Sequence, residues 1–421
     1  MIEKFNKIEL GTVCKLKGGF AFKSFDFQIE GIPLVKISNI QNNKTVKSNG
    51  DVFINEKFLN SHKNFILREN DVVIAMSGAT TGKIGKVNSL FSPSFLNQRV
   101  GQFQAIDNSK IDIELIYQIF SQKSLIDFIL SNAGSSAQPN ISPSFIEKIK
   151  IILPENKQEQ TRIAEILSTA DETISETEAL IAKYQRIKTG LMQDLLTKGI
   201  DQNGNIRNKK THKFVVKNGI EVPEGWEVGT LEDIATINPP KAICNDKNTI
   251  VSFIAMEDVS NDGKLLNLQE RNYLQVKSGF TSFKNNDIIF AKITPCMENG
   301  KGAYLSNLKN GIGFGSTEFH VFRPKNIKST FFIYHLSIFK EYRIKAEASM
   351  SGSAGQQRVQ REFFEKYKIL LPTLNEQEKI ATILNGQDEL IDNEKTKLSK
   401  LQKLKTGLMQ DLLSGKVRVK V

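Results

Sequence analysis

The sequence predicts an α+β protein in which two mixed α/β globular domains are each followed by a long helix, and the two helices pair as an antiparallel coiled coil. Three observations predict this architecture. A long segment occurs twice, both copies carry the apolar spacing of a coiled coil, and the segments in front of them share a set of strands. Two copies of one domain–helix unit make a molecule with internal pseudo-symmetry.

The duplication is clearest at the end of each long segment. The block KTGLMQDLL stands at residues 188–196 and again at residues 405–413, which is 217 positions later. At the same offset and without a gap, IAEIL at residues 163–167 corresponds to IATIL at residues 380–384. Nine identical residues inside a longer match of constant offset indicate an internal repeat.

Each copy is predicted to form one helix. Asn156 with Glu159, and Thr373 with Glu376, have capping-box spacing at the two starts, and a glycine follows each end. Apolar residues recur at alternating spacings of four and three, which keeps one narrow stripe facing a partner helix. Because each helix follows its own domain, two-fold pairing makes the helices antiparallel. The residues expected to pair them are Ile163, Leu167, Ile174, Ile181, Leu191, Leu195, Ile380, Leu384, Ile391, Leu398, Leu408 and Leu412.

Two lysines interrupt this stripe. Lys188 and Lys405 occupy matching positions in the repeat. A polar residue in an apolar seam often fixes the register of a coiled coil. We therefore expect the two lysines either to set helix register or to face a partner subunit.

The globular segments repeat at lower identity. DVVIA at residues 71–75 corresponds to DIIFA at residues 287–291, and EKIKIILP at residues 147–154 corresponds to EKYKILLP at residues 365–372. The frameworks therefore match, whereas the loops between them do not. The predicted boundaries are a first domain at 1–152, a first long helix at 153–198, a linker at 199–224, a second domain at 225–371, a second long helix at 372–415 and a tail at 416–421.

Local patterns predict some elements of the first domain. Short β-branched runs at 32–37 and 71–75 indicate buried strands. The helical spacing of 111–130 indicates one surface helix, and residues 145–153 read as a strand.

Composition restricts the class of protein. The 421 residues carry a formal net charge of +11, which suits a polyanionic partner, although dispersed lysines would also follow from AT-rich coding. No apolar run approaches a membrane span and the N-terminus lacks a secretory signal, so we expect a cytoplasmic protein without a membrane partner. Cys14, Cys244 and Cys296 are far apart, and with four scattered histidines they predict no metal site.

Two motifs resemble catalytic or nucleotide-binding signatures without matching them. GATTGK at residues 78–83 is one residue short of a phosphate-binding loop and continues with an isoleucine. NPPK at residues 238–241 has lysine where adenine methyltransferases have an aromatic residue to stack on an extruded base. We read both as turns and predict no catalytic residues and no bound cofactor in this chain.

The loops instead carry side chains suited to DNA. Asn, Gln and Arg can pair with purine edges, Glu and Asp can accept from cytosine, and Ser, Thr and Lys suit phosphates. Any one of them taken singly reads as a solvated loop residue. The candidates of the first domain are Lys36, Ser38, Asn39, Ser77, Thr80, Thr81, Lys83, Asn97, Gln98, Arg99, Ser135, Gln138 and Asn140. Those of the second are Lys241, Glu257, Asp258, Lys292, Thr294, Lys301, Thr317, Glu318, Ser353, Gln356, Gln357 and Arg358.

Over its whole length the chain resembles the specificity subunit of type I restriction–modification systems. The sharpest residues are the twin KTGLMQDLL blocks, the Leu-Pro pairs that precede both long helices, and QTRIA at residues 160–164 with QEKIA at residues 377–381. The resemblance implies two target recognition domains that each read one half of a bipartite, asymmetric double-stranded DNA site. It also implies that the helices set the gap between the halves.

The same resemblance implies the partners. Two modification subunits would dock on the helices, carry S-adenosylmethionine and methylate adenine, and restriction subunits would translocate and cut the DNA. Two alternatives stay open. One is the specificity component of a type II-like or phage-borne methylation system without cleavage. The other is a structural coiled-coil adaptor with no role in DNA binding.

Overall fold

A computed structural model describes residues 5–40, 46, 51–133, 139–353 and 355–420. They form two compact units. Unit 1 runs to Glu178 and resumes at Thr396, and unit 2 runs from Ala179 to Lys395. Within the described ranges, every helix is too short or too polar to cross a lipid bilayer.

The elements of the first half alternate short strands with short helices before one long helix. The strands are β1 (Phe5–Glu9), β2 (Cys14–Gly18), β3 (Phe27–Gln28), β4 (Ile32–Val35), β5 (Phe53–Ile54), β6 (Ile66–Leu67), β7 (Val72–Ala75), β8 (Ile84–Lys86), β9 (Ser94–Leu96), β10 (Val100–Ala105) and β11 (Lys150–Pro154). The helices are α1 (Phe58–Ser61), α2 (Ile113–Phe120), α3 (Lys123–Asn132), α4 (Pro143–Glu147) and the long α5 (Lys157–Thr197).

The second half repeats this plan. Its strands are β12 (Phe214–Lys217), β13 (Ile220–Pro223), β14 (Glu227–Gly229), β15 (Ala235–Ile237), β16 (Ile250–Ile254), β17 (Gln269–Asn272), β18 (Thr281–Lys284), β19 (Ile288–Ala291), β20 (Gly302–Tyr304), β21 (Ile312–Gly315), β22 (Phe319–Pro324) and β23 (Ile369–Leu371). Its helices are α6 (Leu231–Ile234), α7 (Tyr273–Val276), α8 (Thr330–Ile338), α9 (Lys340–Ala348), α10 (Arg361–Lys366) and the long α11 (Leu374–Leu413).

The sheets of the two units have matching strand orders. A four-stranded sheet has the order β2-β10-β7-β8 in unit 1 and β15-β22-β19-β20 in unit 2. A second sheet contains β5-β4-β9-β6 in unit 1, with β3 added at its edge, and β17-β16-β21-β18 in unit 2. β4 pairs in parallel with β9, as β16 does with β21. The duplication inferred from scattered sequence matches is therefore a duplication of topology.

Each long helix enters the core of the domain beside it. Ile163 and Leu167 of α5 are fully buried in the core of unit 1, together with residues of α2. Ile380 and Leu384 of α11 occupy the same positions in unit 2, together with residues of α8. The first apolar residues of each stripe thus pack on a globular domain, where burying a large aliphatic side chain stabilises by about 1.5–3 kcal/mol.

The long helices run antiparallel within each unit. In unit 2, Lys188 of α5 contacts Asp388 of α11 at 2.6 Å, and beyond the end of α5 the Ile200 N–H donates to Glu376 near the start of α11 at 2.9 Å. In unit 1, Lys405 lies 2.5 Å from Asp171. The predicted architecture of two mixed α/β domains with two long, antiparallel helices is confirmed.

The long helices begin at Lys157 and Leu374, and the capping boxes predicted at these starts are only half formed. Asn156 accepts the Gln158 N–H at 2.8 Å, and Thr373 accepts the Glu376 N–H at 3.4 Å. The side chains of Glu159 and Glu376 do not accept the backbone N–H of the capping residues, because they pair instead with Arg418 and Arg207. After each helix a glycine has positive φ, 64° at Gly199 and 75° at Gly415, as a left-handed helix end requires.

Three local predictions differ from the structure. Residues 111–130 form two helices, α2 and α3, and most of α2 is buried because it covers the four-stranded sheet. The strand predicted at 145–153 is β11 alone, because Ser142 caps the short helix α4 by accepting the Phe145 N–H. The predicted linker 199–224 contains the hairpin of β12 and β13.

Candidate nucleic-acid interface

Three loops meet at the end of one inner strand of each four-stranded sheet, β7 in unit 1 and β19 in unit 2. The same backbone hydrogen bonds hold these loops in both units. After β7, the Met76 N–H donates to the carbonyl of Arg99, and the Ile141 N–H donates to the carbonyl of Met76, both at 2.9 Å. After β19, the Lys292 N–H donates to the carbonyl of Glu318, and the Val359 N–H donates to that of Lys292, again at 2.9 Å.

These hydrogen bonds give a residue-by-residue correspondence between the two sets of loops. Ser77 bridges to Asn140 in unit 1, and Ile293 bridges to Arg358 in unit 2. The residue before β10 is Arg99, and the corresponding residue before β22 is Glu318. One backbone arrangement therefore presents different side chains in the two units.

In unit 1 these loops line an open cleft of about 450 Å³. Ser77, Gln98, Arg99 and Asn140, all predicted from the sequence, lie in its wall, with the N-terminal turn of α4 beside them. Gln98, Arg99 and Asn140 are exposed. The Ser77 hydroxyl is buried, and among the described residues it has no hydrogen-bond partner. The cleft thus offers the exposed amide groups of Gln98 and Asn140 and the guanidinium of Arg99 to one ligand.

In unit 2 a smaller cleft of about 260 Å³ lies next to the corresponding loops. Lys241, Lys292 and Thr317 line it, and Asn238 and Phe280 also form part of its wall. The predicted turn at 238–241 therefore brings its lysine to the cleft. Asn238 itself turns inward, because its Oδ1 accepts the Val321 N–H at 3.0 Å. Two lysines and a hydroxyl group suit a phosphate.

Beside this cleft, Glu318 and Arg358 form a bidentate ion pair. The Nε and Nη2 of Arg358 each donate to a different carboxylate oxygen of Glu318, at 2.9 Å. These hydrogen bonds hold the pKa of Glu318 below its usual value, so the carboxylate is ionised. Burial lowers the pKa of His320, behind the pair, to about 4, so the histidine is neutral near pH 7.

Several of the predicted residues instead hold the loops. Asn39 accepts the Lys36 N–H at 2.9 Å, and the corresponding Asp258 accepts the Ala255 N–H at 2.8 Å. The Thr80 hydroxyl donates to the Ile37 carbonyl at 2.9 Å. The others in internal hydrogen bonds are Thr81 with the Gly78 and Pro139 carbonyls, Asn97 with the Arg99 N–H, Lys301 with the Met256 carbonyl, and Thr294 with Glu298.

The remaining candidates lie at the surface of the loops or outside the described residues. Glu257, Ser353, Gln356 and Gln357 are exposed, and Lys36, Ser38 and Lys83 are partly exposed. Ser135 and Gln138 lie outside the described residues. In the described ranges, no three His, Cys, Asp or Glu side chains are grouped as a metal site requires.

In each unit a buried polar side chain of the globular domain contacts a long helix, and neither contact was predicted from the sequence. In unit 1, Gln118 of α2 donates to Asp171 at 3.0 Å. In unit 2, His335 of α8 hydrogen-bonds Asn385 at 2.8 Å. Gln118 and His335 stand at matching positions of the repeat, because they differ by the offset of 217. Asn385 corresponds at the same offset to Ser168, which Gln118 also contacts, at 3.4 Å. That shared offset is the signal that could have identified them.

A family model described as "Type I restriction modification DNA specificity domain" matches residues 2–186 and 223–403. Each match covers one globular domain and most of the helix that follows it.

Two curated proteins illustrate the similarity. The chain is 43% identical to the Type I restriction enzyme EcoAI specificity subunit of Escherichia coli over 204 residues, which are 46% of this chain and 33% of that protein. It is 27% identical over 379 residues to the MjaVIII specificity subunit of Methanocaldococcus jannaschii, covering 86% of this chain and 82% of that protein. The match to the Escherichia coli protein thus spans about a third of that protein's length.

The fold is similar to that of a solved structure. The crystal structure of a type I restriction–modification system S subunit from M. genitalium aligns with 98% of this chain and 96% of that one, with a TM-score of 0.60 and 15% sequence identity. At that identity the likeness concerns the fold alone.

Proposed function

The chain belongs to the type I restriction modification DNA specificity family, and from this membership we propose that it selects the DNA sequence on which a restriction–modification complex acts. Each globular domain reads one half of a bipartite, asymmetric site in double-stranded DNA. The observation that carries the proposal is the pair of corresponding loop sets, which share backbone hydrogen bonds and differ in side chains. Two unlike half-sites require domains that share a backbone framework and differ in the side chains that contact the bases.

The two domains would contact DNA with different balances of base and phosphate contacts. In the first domain, Gln98 and Asn140 can pair with adenine edges, while Arg99 can take guanine or a phosphate. In the second, Lys241 and Lys292 supply phosphate contacts that position the domain without reading sequence. The net charge of +11 favours association with DNA in general.

The long helices fix the spacing of the two half-sites in this proposal. Half-sites read from one face of B-DNA lie about one helical turn, roughly 34 Å, apart. A coiled coil with fixed register is stiff enough to hold such a distance. The Lys188–Asp388 and Lys405–Asp171 ion pairs support a fixed register, because a slip by one residue would separate both charges from their partners.

The helices also offer a repeated surface for a partner present in two copies. Ile187 and Leu404 stand at matching positions of the repeat, and both are exposed, by 40% and 58%. An exposed aliphatic residue duplicated at a constant offset suits two copies of the same partner. We assign this surface to two modification subunits, which would carry S-adenosylmethionine and methylate adenine.

Catalysis lies with those partners in this proposal, and restriction subunits would join them to translocate and cut the DNA. This chain contributes binding and position only. A system that methylates without cutting would use the same chain in the same way. Adding restriction subunits to the purified complex distinguishes a type I system from a methylation-only system. Only a complete type I complex then cleaves unmethylated DNA that contains the site.

The test is binding by the chain assembled with its modification subunits, measured at several salt concentrations. Mapping the methylated adenines in cells that express the complex gives the bipartite site. We expect duplexes with this site to bind about 10³-fold or more tightly than scrambled duplexes of equal length. Inserting two base pairs between the halves should remove this preference. Equal affinity for all duplexes would instead favour the coiled-coil adaptor.

Exposed aliphatic residues on the helices provide the corresponding test of docking. Leu404→Asp and Ile187→Asp should each weaken binding of one modification subunit, and together they should abolish assembly. Thr189→Asp, at a nearby exposed position of α5, is the matched control. Unchanged assembly of the double variant would place the modification subunits elsewhere.

A further inference from the structure

The two loop sets each contain an arginine, and the two arginines differ in their partners. In unit 1, Arg99 is exposed, and among the described residues no carboxylate lies within ion-pair distance of it. In unit 2, Arg358 is held by Glu318 and is 37% exposed. The first guanidinium is a net positive charge at the surface, whereas the second belongs to a neutral pair.

The hydrogen bonds of Arg358 leave a defined part of its guanidinium unused. Its Nε and Nη2 donate to Glu318, and its Nη1 donates to the carbonyl of Gln356 at 3.0 Å. A guanidinium has five N–H donors, so one remains on each terminal nitrogen. Two neighbouring N–H groups are what a guanine edge accepts, at O6 and N7.

The carboxylate argues for a base rather than a phosphate as the ligand. A phosphate contact depends on net positive charge, and Glu318 both neutralises Arg358 and would itself repel a phosphate. A base edge is uncharged, so its recognition depends on the geometry of the hydrogen bonds rather than on net charge. A carboxylate that fixes the guanidinium also removes the rotamer entropy that binding would otherwise cost.

The backbone around Arg358 is equally fixed. Its N–H donates to the Ser351 carbonyl at 2.9 Å, and the Ser351 N–H donates to the Arg358 carbonyl at 3.1 Å. The preceding residues, Gln356 and Gln357, are exposed. Two backbone hydrogen bonds to Ser351 thus fix Arg358, and the N–H of the next residue, Val359, donates to the carbonyl of Lys292, which lines the cleft.

We propose that Arg358 reads a guanine in the half-site of the second domain, and that Glu318 is the positioning residue that orients it. This assignment rests on the proposed function and names the base at one position of the site. Among the described residues Arg99 has no carboxylate partner, so its guanidinium is not oriented in the way that Glu318 orients Arg358.

The experiment maps methylated adenines in cells that express the chain with its modification subunits. It compares the unchanged chain with Arg358→Gln, Arg358→Lys and Glu318→Gln. Arg361→Gln is the matched control, because Arg361 lies three residues further on and pairs on the surface with Glu365. Purified complexes are then tested on duplexes that differ by one base pair in the second half-site.

We expect a guanine in the second half-site whose requirement is lost in Arg358→Gln and Arg358→Lys. Discrimination at that position should fall by roughly 5- to 150-fold, the range of one bidentate base contact. Glu318→Gln should reduce the same discrimination by a smaller factor. The first half-site, the gap and the salt dependence should not change, and the control should behave as the unchanged chain does.

Three outcomes would overturn the assignment. They are a second half-site without guanine, an Arg358→Lys complex with an unchanged site, and a uniform loss of affinity for all duplexes together with a lower melting temperature. In the last case the ion pair would serve only to close the loop. The complete absence of a methylated motif with the unchanged chain would instead contradict the proposed function.

Discussion

Lys188 and Asp388 form an ion pair between the two long helices in unit 2, with 2.6 Å between Nζ and a carboxylate oxygen. Lys405 and Asp171 repeat it in unit 1 at 2.5 Å. Both side chains of the first pair are mostly buried, at 14% and 16% exposed. Each pair therefore places a charged contact at one fixed point of an otherwise apolar seam, where it can specify register.

Removing one partner of this pair should be costly. Lys188→Ala leaves Asp388 without its cation in a site that water reaches poorly, so we expect a loss of about 1–3 kcal/mol in the free energy of unfolding by urea. Arg162→Ala is the matched control, because the Arg162–Glu165 pair is more than half exposed and is worth less than about 1 kcal/mol. Equal losses in the two variants would contradict a role in register.

A second group of charges holds the turn after β16 against α11 within unit 2. Lys264 pairs with Asp392, and Lys395 lies 2.9 Å from Asp262. These pairs are partly exposed, so each contributes less than about 1 kcal/mol, but together they fix the turn. We expect Lys264→Glu to speed hydrogen exchange at residues 259–266 with little change in global stability.

The reciprocal variant tests that contact directly. Asp392→Lys combined with Lys264→Glu restores opposite charges, so exchange should return towards that of the unchanged chain. Raising the salt concentration should speed exchange in the unchanged chain as well, because salt screens exposed ion pairs. Failure of the double variant to slow exchange would show that packing, not charge, holds the turn.

Burial makes His335 a source of pH-dependent stability. Its surroundings lower its pKa to about 3, below the roughly 6.5 of an exposed histidine. As pH falls below 6.5 the unfolded chain takes up a proton that the native chain does not, so stability present at neutral pH is lost on acidification. His335→Gln, which copies Gln118 of unit 1, should lose about 2 kcal/mol less between pH 7.5 and pH 5. Urea unfolding at both pH values measures the difference, and parallel pH profiles would contradict it.

The sequence predicts the helices well because their signals are local. The stripe of apolar residues and the glycine after each helix place the ends of α5 and α11 within a few residues of those observed. The partners of Lys188 and Lys405 could also have been found, since Asp171 and Asp388 share the offset of the repeat. What repeats in the sequence repeats in the structure.

The loops were harder to assign because distant contacts decide the role of each side chain. Asn39 and Asp258 have the residue types that read bases, yet both accept a backbone N–H three residues earlier. Arg358 and Arg99 are indistinguishable by residue type, and only the position of Glu318 separates them. Arg358 stands forty positions after Glu318 in the chain, so no local pattern links them.

The segment that follows each long helix carries an arginine that pairs with a glutamate at the start of the other long helix. Beyond α5, Arg207 pairs with Glu376 at the start of α11. Beyond α11, Arg418 donates to both carboxylate oxygens of Glu159 at the start of α5, at 2.7 and 2.6 Å. Glu159 and Glu376 are almost fully buried, at 1% and 9% exposed. Each arginine thus supplies the counter-charge for a carboxylate in the core.

We therefore expect Arg418→Ala to lower the free energy of unfolding by about 2–4 kcal/mol, because it strands the buried Glu159 carboxylate. Hydrogen bonds from Arg418 lower the pKa of Glu159, so in the unchanged chain this stability is present above the ordinary glutamate pKa and is lost as pH falls through the lowered one. The stability of Arg418→Ala should therefore fall less on acidification than that of the unchanged chain.

Adding Glu159→Gln to Arg418→Ala should recover part of the loss at pH 7, because the buried charge is then gone. Lys416→Ala, in an exposed pair with Asp411, should change stability by less than about 1 kcal/mol and serves as the control. If Arg418→Ala is no more costly than this control, the tail does not supply the counter-charge on which the start of α5 depends.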